Sequence, residues 1–301
     1  MPTAVLCDPC DSGVRGTLVK AYLPVKITWE KFMAAVKTLV VTGYGTNCEN
    51  ESAFAAKQAK ADETAIVYFS DIAAGRVRMD EYNFLIFPGG FLDGDDLGAA
   101  QAAATRWKFA KTVDGEPVID QLKALFQAGG LILGICNGFQ LLVKLGLLPG
   151  LDGKYFERLV SLSSNDSARF EDRWVRLCAN PKSPCVFTRN MTTLELPVRH
   201  GEGKLITQDE DTLKQIQAEN LIALQYAHPK TGKPTQEYPH NPNGSPLGIA
   251  GLTDPTGRIF GLMPHPEAYN HKTNHPGWTR GEQGVLGTAL IANGVEYLKG
   301  R

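Results

Sequence analysis

GLILGICNGFQLLVKLG, residues 130–146, joins an apolar strand to a helix through a very short corner. Leu131–Ile135 has the length of a buried strand, and the helical pattern begins directly after Cys136. A strand, a sharp turn with small residues and a helix are typical of a nucleophile elbow. There the amino end of the helix favours a thiolate, and the N–H of Asn137 points toward a developing oxyanion. The alternative is that Cys136 is a small buried hydrophobic residue, as most free cysteines are.

Strand and helix patterns also alternate on the amino-terminal side of this corner. Short apolar runs occur at residues 38–41, 65–69 and 83–90, and helices are predicted at about 49–60 and 117–127. Continuous apolar runs separated by helices are typical of a parallel sheet covered on both faces. The sequence therefore predicts an α/β fold with a mostly parallel central sheet and helices on both faces.

The carboxyl-terminal half has a different pattern, with short strand-like pieces and joints rich in proline and glycine. We expect these pieces to be antiparallel additions to the same sheet, followed by a final helix from about Gln283 to Leu298. The pieces are WVRLC, TLELPV, LIALQY, LGIAGL and RIFGLM. The simplest division is one domain over residues 37–301.

Residues 1–36 are assigned to a separate amino-terminal extension, whose place in the native protein is left open. Residues 1–32 contain no clear periodic element, and Met33 stands just ahead of the first strand. Met33 is therefore an alternative start, which the intact mass of protein expressed from the native gene would test. Cys7 and Cys10 form a Cys-x-x-Cys pair, but no second pair stands at zinc-ligand spacing, so no metal site is predicted.

The composition is that of an ordinary globular protein. Hydrophobic residues make up 43% of the 301 residues, charged residues 21%, and the formal net charge is −1. Without a basic excess, no nucleic-acid or anionic-membrane partner is expected. No apolar run is long enough to span a bilayer, and the first residues do not resemble a secretory signal. The expected location is the cytoplasm.

A second chemical signal lies at residues 258–267, RIFGLMPHPE. Pro266 favours an extended conformation at His265, and residues two apart in an extended segment face the same side. His265 and Glu267 are therefore predicted to project together, so that the carboxylate can orient the imidazole. A cysteine, a histidine and an acid form the general triad of thiol acyl transfer. The alternative is a structural histidine at a turn.

The loop that follows the run at 83–90 offers further backbone donors. Small residues at Gly89 and Gly90 would let a ligand approach the backbone closely, and Gly90 and Phe91 are candidates for the second oxyanion donor. Alone, a Pro-Gly-Gly sequence is a common turn, so the loop gains meaning only beside the cysteine and histidine.

Together these segments resemble the class I glutamine amidotransferases of the triad type. Among them, the sequence is most similar to the glutaminase components of phosphoribosylformylglycinamidine synthases. The resemblance covers about residues 37–270 and rests on the stretches GYGTNCENE, PGGFLDGD, GICNGFQLLVKLGLLPG, NDSARFEDRWVRL, HGEGKL, YPHNPNGSPLGIAGL and GRIFGLMPHPE.

The resemblance implies a flavodoxin-like fold and a specific set of site residues. Cys136 would be the nucleophile, and His265 and Glu267 would complete the triad. The oxyanion and glutamine contacts would be Gly89, Gly90, Phe91, Asn137 and Gln140. Four further residues fall in stretches similar to the glutamine-side or interface segments of the family: Asn165, Arg169, His200 and Glu202.

The resemblance also implies an activity and partners. The family hydrolyses L-glutamine to glutamate and ammonia, and passes the ammonia to a synthetase partner, with or without a small accessory subunit. ATP and Mg²⁺ are expected on that partner, and no cofactor or metal is expected on this chain. The absence of a Gly-x-x-x-x-Gly-Lys loop agrees with placing the ATP chemistry on another chain.

Other classes remain open from the residues alone. A cysteine hydrolase or peptidase could use the same triad on the same sheet, and a non-catalytic regulatory homologue could keep the fold. Gly43-Tyr44-Gly45 suggests a non-catalytic nucleotide-binding module, but the third glycine of the dinucleotide-binding motif is missing.

Overall fold

A computed structural model describes residues 35–281 and 284–300 of the chain. The Cys7–Cys10 pair, Met33 and most of the predicted extension lie outside the described residues, as does the predicted start of the last helix at Gln283.

The described residues form a large sheet and a small one. The strands, numbered in chain order, are β1 (Lys37–Thr42), β2 (Glu63–Tyr68), β3 (Phe84–Phe87), β4 (Leu131–Ile135), β5 (Val160–Ser164), β6 (Glu171–Ala179), β7 (Thr193–His200), β8 (Glu202–Thr207), β9 (Ile222–Tyr226), β10 (Ile249–Thr253) and β11 (Ile259–Leu262). The nine-stranded sheet has the order β2-β1-β3-β4-β11-β10-β9-β6-β7, and β5 pairs with β8 in the two-stranded sheet.

In the described part of the chain, five α-helices lie between strands β1 and β5, one lies between β8 and β9, and one follows β11. They are α1 (Glu49–Gln58), α2 (Phe69–Ala73), α3 (Gln101–Phe109), α4 (Val118–Gln127), α5 (Asn137–Leu145), α6 (Glu210–Ala218) and α7 (Thr288–Leu298). Within the described residues, no helix has both the length and the apolar character needed to cross a membrane.

The large sheet divides into a parallel and an antiparallel part. Neighbours from β2 to β11 run parallel, and neighbours from β11 to β7 run antiparallel. Every residue of β3 and β4 is buried, as continuous apolar runs in a covered parallel sheet should be. The predicted α/β class, with antiparallel additions in the carboxyl-terminal half, is confirmed.

Strand β11 differs from the expectation for its sequence, RIFGLM. It was predicted as an antiparallel addition, but it pairs in parallel with β4, with Ile259 opposite Ile132 and Leu262 opposite Ile135. Only its other edge, toward β10, is antiparallel. The carboxyl ends of β4 and β11 therefore lie side by side, at the edge of the sheet where open α/β folds bind ligands.

Some elements were not predicted. These are the pair β5–β8 and helices α2, α3 and α6; Phe69, predicted to end the second strand, begins α2, and α7 begins at Thr288 rather than near Gln283. The remaining strand and helix bounds agree with the predictions within a few residues.

Candidate active site

The corner between β4 and α5 has the shape that the sequence predicts. Cys136 has φ 51° and ψ −102°, an unusual conformation for a residue other than glycine. A Cβ at Gly138 would lie 2.0 Å from the carbonyl oxygen of Phe87, so only glycine lets the helix approach β3 this closely. Such local strain persists only where the surrounding structure holds it, and it is common at functional sites.

His265 and Glu267 follow β11 and face the same side, as the spacing predicts. His265 is extended (φ −104°, ψ 90°), and a short 3₁₀ turn begins at Pro266. The His265 Nδ1 atom lies 2.6 Å from Glu267 Oε1, and both side chains are buried. The His265 N–H donates to the carbonyl of Pro197 on β7 (2.8 Å), which anchors this segment to the sheet.

The imidazole shares a cavity with the thiol. Cys136, His265 and Glu267 all line one cavity of about 600 Å³ at the edge of the sheet. With Nδ1 bonded to Glu267, the ring is left with Nε2, which is buried and has no hydrogen-bond partner among the described residues. Nε2 is therefore the nitrogen available to a substrate or to the nucleophile.

The electrostatic surroundings of His265 favour its protonated form. Burial alone would lower the pKa of His265, but the Glu267 carboxylate, and after it Cys136, raise that pKa well above its usual value. A carboxylate close to an imidazole stabilises the imidazolium. A buried imidazolium beside a thiol is the arrangement that nucleophilic cysteine chemistry requires.

The candidate oxyanion donors differ in whether their backbone N–H is already hydrogen-bonded. The Phe91 N–H donates to the carbonyl of Gly45 (2.7 Å), so Phe91 offers its side chain to the cavity rather than a free amide. Gly90 lines the cavity, and no described residue accepts a bond from its N–H. Asn137 is the first residue of α5 and has no helical acceptor for its N–H. Gly90 and Asn137 thus remain the candidate pair.

Gly89 lies directly against the imidazole. A Cβ on Gly89 would lie 2.7 Å from His265 Cε1 and 3.3 Å from the sulfur of Cys48. Any larger residue at position 89 would therefore displace the histidine or the loop.

A chain of side-chain amides connects three parts of the site. Asn137 Oδ1 accepts from the Leu92 N–H (3.0 Å), and Asn137 Nδ2 donates to Gln140 Oε1 (3.0 Å). Gln140 Nε2 in turn donates to the carbonyl of Glu202 (2.6 Å). The Glu202 carboxylate accepts from the Ala99 N–H (3.1 Å). Gln140 and Glu202 also line the cavity, so this series of hydrogen bonds holds the cavity wall as well as the loops.

A second buried histidine lines the cavity. His200 and the Asn165 behind it form what we call the amide side, while Cys136, His265 and Glu267 form the triad side. Asn165 Oδ1 accepts from the Gly203 N–H (3.1 Å), so it must also be the acceptor toward His200 Nδ1 (3.1 Å). Asn165 Nδ2 donates to the carbonyls of Arg169 (2.9 Å) and His200 (2.8 Å).

The amide side keeps its histidine neutral. Burial, reinforced by nearby His265, lowers the pKa of His200 to about 3. Its Nδ1 carries the proton that Asn165 accepts, so the buried Nε2 holds a lone pair and has no partner among the described residues. His200 can therefore accept a hydrogen bond in the cavity but does not carry a charge there.

Four predicted site residues are not among those that line the cavity: Gly89, Asn137, Asn165 and Arg169. Asn165 supports the amide side from behind, and Arg169 is exposed on the surface next to Phe170, which does line the cavity. The exposed position of Arg169 suits contact with another molecule better than contact with a substrate inside the cavity.

Sequence reasoning missed Cys48, which lies just before α1. Its sulfur lies 3.9 Å from His265 Nδ1 and 3.1 Å from Asn47 Oδ1, and burial raises the pKa of its thiol. The available signal was its position after β1, because the carboxyl ends of parallel strands meet at one edge of the sheet.

Comparison with known proteins settles the family. Residues 35–298 match the model of the CobB/CobQ-like glutamine amidotransferase domain. The phosphoribosylformylglycinamidine synthase subunit PurQ of Methanococcus maripaludis is 44% identical over 242 residues, covering 80% of this chain and 86% of that protein. PurQ of Dehalococcoides mccartyi is 42% identical over 272 residues, covering 89% and 99%.

The chain belongs to the PurQ family of glutamine amidotransferases. The structure of PurLQS from Thermotoga maritima agrees with this: it matches with a TM-score of 0.64 and 26% identity, covering 88% of this chain and 100% of that chain. The resemblance found in the sequence is thereby confirmed, and so is the amidotransferase fold.

Proposed function

We propose that this chain is the glutaminase component of a phosphoribosylformylglycinamidine synthase and hydrolyses L-glutamine to glutamate and ammonia through Cys136, His265 and Glu267. The observation that carries the proposal is the buried imidazole of His265, which lies 2.6 Å from a carboxylate and lines the same cavity as the thiol. The names of the PurQ relatives support the synthase and its place in purine biosynthesis.

The reaction begins with attack on the amide. The sulfur of Cys136 bonds to the side-chain amide carbon of glutamine, and the carbonyl oxygen becomes an oxyanion near the N–H groups of Gly90 and Asn137. The His265 imidazolium gives its Nε2 proton to the leaving nitrogen, and ammonia departs as the carbon–nitrogen bond breaks. A thioester of glutamate on Cys136 remains.

Water completes the turnover. The now neutral Nε2 of His265 takes a proton from water, whose oxygen bonds to the thioester carbon. The carbon–sulfur bond then breaks, glutamate leaves, and the thiolate and imidazolium are restored. Throughout, Glu267 keeps the ring oriented and stabilises its charged form, in the role of the third member of a triad.

The polar residues around the triad position the substrate. Gln140 has both amide atoms engaged, so we assign it to holding the cavity wall rather than to free contact with glutamine. His200 and Glu202 line the cavity, and we assign both to contact with glutamine, with His200 as a neutral acceptor. Arg169, being exposed, is assigned to the interface with a partner.

The ammonia would pass to a synthetase partner. We assign ATP and Mg²⁺ to that partner and no cofactor to this chain, and we expect a complex of the kind named in the Thermotoga maritima PurLQS structure, in which a small accessory subunit can also take part. The cytoplasm is the proposed location. The matched range 35–298 supports one amidotransferase domain over residues 37–301, with residues 1–36 as an extension.

The test is Cys136→Ala in the full chain, assayed alone and with the synthetase partner from native extract. We expect glutamine hydrolysis to fall at least about 10³-fold, because the nucleophile is lost, while synthesis driven by added ammonia continues. Cys178→Ala, on β6, is the matched control and should keep glutamine hydrolysis.

Glutaminase activity that survives Cys136→Ala would overturn the assignment of the nucleophile. A purified chain that cleaves peptides or esters but leaves glutamine intact would instead support a cysteine hydrolase.

A further inference from the structure

We propose that Cys48, His265 and Glu267 form a binding site for Zn²⁺, and that the bound ion blocks the cavity. Each of the three offers one ligand atom, and these atoms all lie within 4.8 Å of one another. The side chains of His265 and Glu267 are almost completely buried, and Cys48 is half-buried. Cys48 takes no part in the reaction proposed above, which leaves its place beside the imidazole unexplained.

The spacing suits a tetrahedral zinc ion. Typical zinc–sulfur and zinc–nitrogen bonds place the two ligand atoms about 3.6 Å apart at a tetrahedral angle. The sulfur of Cys48 and Nδ1 of His265 are 3.9 Å apart, so a shift of a few tenths of an ångström brings both into range. A rotation of the Cys48 side chain can supply that shift if it gives up the contact with Asn47 Oδ1 (3.1 Å), and Nδ1 of His265 would exchange its bond to Glu267 Oε1 for a bond to the ion.

Glu267 has an oxygen to spare. Its Oε1 is bonded to His265, whereas Oε2 is buried and has no hydrogen-bond partner among the described residues. Buried carboxylate oxygens are normally hydrogen-bonded or bound to a metal. An unpartnered Oε2 beside a thiol and an imidazole is therefore a ready ligand.

The ligand set selects the kind of ion. One thiol, one imidazole and one carboxylate are ligands typical of zinc, whereas Mg²⁺ and Ca²⁺ prefer sites made of oxygen atoms. Cys48 also lines the cavity, so an ion can reach it through the opening that admits a substrate. Water in the cavity would supply the fourth ligand, which leaves Cys48 as the thiolate of the site.

Zinc binding would remove the proton from Nδ1 of His265 and break the hydrogen bond by which Glu267 orients the ring. The Cys48 thiol and the Nδ1 of the His265 imidazolium each release one proton to solvent, and their lone pairs bond to zinc. The bond between Nδ1 and Oε1 breaks, and the neutral ring left behind carries its remaining proton on Nε2. The ring can then no longer accept a proton from water. The zinc site does not depend on the proposed reaction. The predicted inhibition of glutamine hydrolysis by zinc does rest on the proposed function.

The first experiment measures binding rather than activity. Cobalt(II) is added to the full chain carrying Cys7→Ser and Cys10→Ser, which removes the other cysteine pair. We expect a thiolate-to-cobalt charge-transfer absorption that zinc displaces. Adding Cys48→Ser should abolish the absorption and weaken zinc binding at least about tenfold, since losing even a partner behind a ligand costs roughly 10- to 100-fold. Cys178→Ser is the matched control and should leave both unchanged.

A second measurement uses the unsubstituted chain, in case Cys48→Ser fails to fold. Zinc should protect Cys48 from alkylation, read by peptide mass spectrometry, and Mg²⁺ at the same concentration should not. An absorption that persists in Cys48→Ser, or alkylation of Cys48 that zinc does not slow, would overturn the site.

Activity then separates the two proposals. Zinc should inhibit glutamine hydrolysis, and Cys48→Ser should raise the inhibitory concentration at least about tenfold relative to its own zinc-free rate. Cysteine-48-dependent cobalt binding in a chain that never hydrolyses glutamine would leave the metal site standing and remove the proposed function. A chain that hydrolyses glutamine but neither binds zinc nor is inhibited by it would keep the proposed function and remove the metal site.

Discussion

The triad side and the amide side of the cavity each bury one histidine, yet the two rings are in opposite states. His265 bonds to the carboxylate of Glu267, and its pKa is raised; His200 bonds to the amide of Asn165, and its pKa is lowered to about 3. Burial disfavours the charged form of both rings. The charge of the partner therefore decides which histidine can carry a proton.

This difference gives the cavity one proton donor and one neutral acceptor. A charged carboxylate against an imidazole outweighs the cost of burying the imidazolium, whereas an amide oxygen bonds the ring without offsetting that cost. Two rings with raised pKa values would repel one another in the same cavity. Exchanging the partners is therefore the most direct way to test the contrast.

The largest effect is expected from Glu267→Gln, which gives His265 a neutral partner. The pKa of His265 should fall, and glutamine hydrolysis should drop on the order of 10²- to 10⁴-fold, the range for losing general acid–base catalysis. The upper limb of the pH–rate profile should move to lower pH, because the imidazolium is lost earlier as pH rises.

The control is Glu195→Gln. Glu195 forms the same kind of bond to a buried histidine, His275 (2.8 Å), but neither residue lines the active-site cavity. A similar loss of activity in both variants would show that the effect is structural rather than chemical.

A smaller effect is expected from Asn165→Asp, which gives His200 a charged partner. The pKa of His200 should rise from about 3, which titration of its ring protons by NMR would measure. The two bonds from Nδ2 to the carbonyls of Arg169 and His200 are lost, so the free energy of unfolding should fall by about 2 kcal/mol. An unchanged pKa of His200 would mean that burial alone sets it.

The smallest effect is on stability as a function of pH. In the folded chain His200 stays neutral down to about pH 3, whereas in the unfolded chain it binds a proton below about pH 6.5. Stability from this residue is therefore present above pH 6.5 and lost as pH falls toward 3. His265 behaves in the opposite way, because its raised pKa gives stability that is lost as pH rises through it.

His200→Gln should flatten the acid limb of the stability curve, measured by denaturant titration between about pH 4 and 7. An acid limb as steep as that of the unsubstituted chain would rule out His200 as its source.

Local sequence patterns predicted the triad side well. Leu131–Ile135 was predicted to the residue, and the Pro-His-Pro-Glu sequence gave the shared direction of His265 and Glu267, because each signal lies within a few neighbouring residues. The roles of these residues remain predictions until the variants are measured.

Local sequence patterns could not predict the contacts of the amide side. The four side-chain hydrogen bonds of Asn165 join it to segments up to 38 positions away, and no local periodicity records such pairings. The same holds for β11, whose partner β4 is distant in the chain, and for Phe91, whose N–H is taken by Gly45. Cys48 was missed because its neighbour His265 is 217 positions away.

The place of β11 beside β4, in the middle of the large sheet, has a further consequence. These adjacent strands end at the thiol corner and at the histidine turn, and the Cys136 N–H donates to the carbonyl of Leu262 (2.8 Å). Strand spacing, rather than the length of intervening chain, sets how far apart the reacting groups lie. A change in the length of an exposed loop between them should therefore leave the separation of thiol and imidazole unchanged, as long as β4 and β11 stay paired.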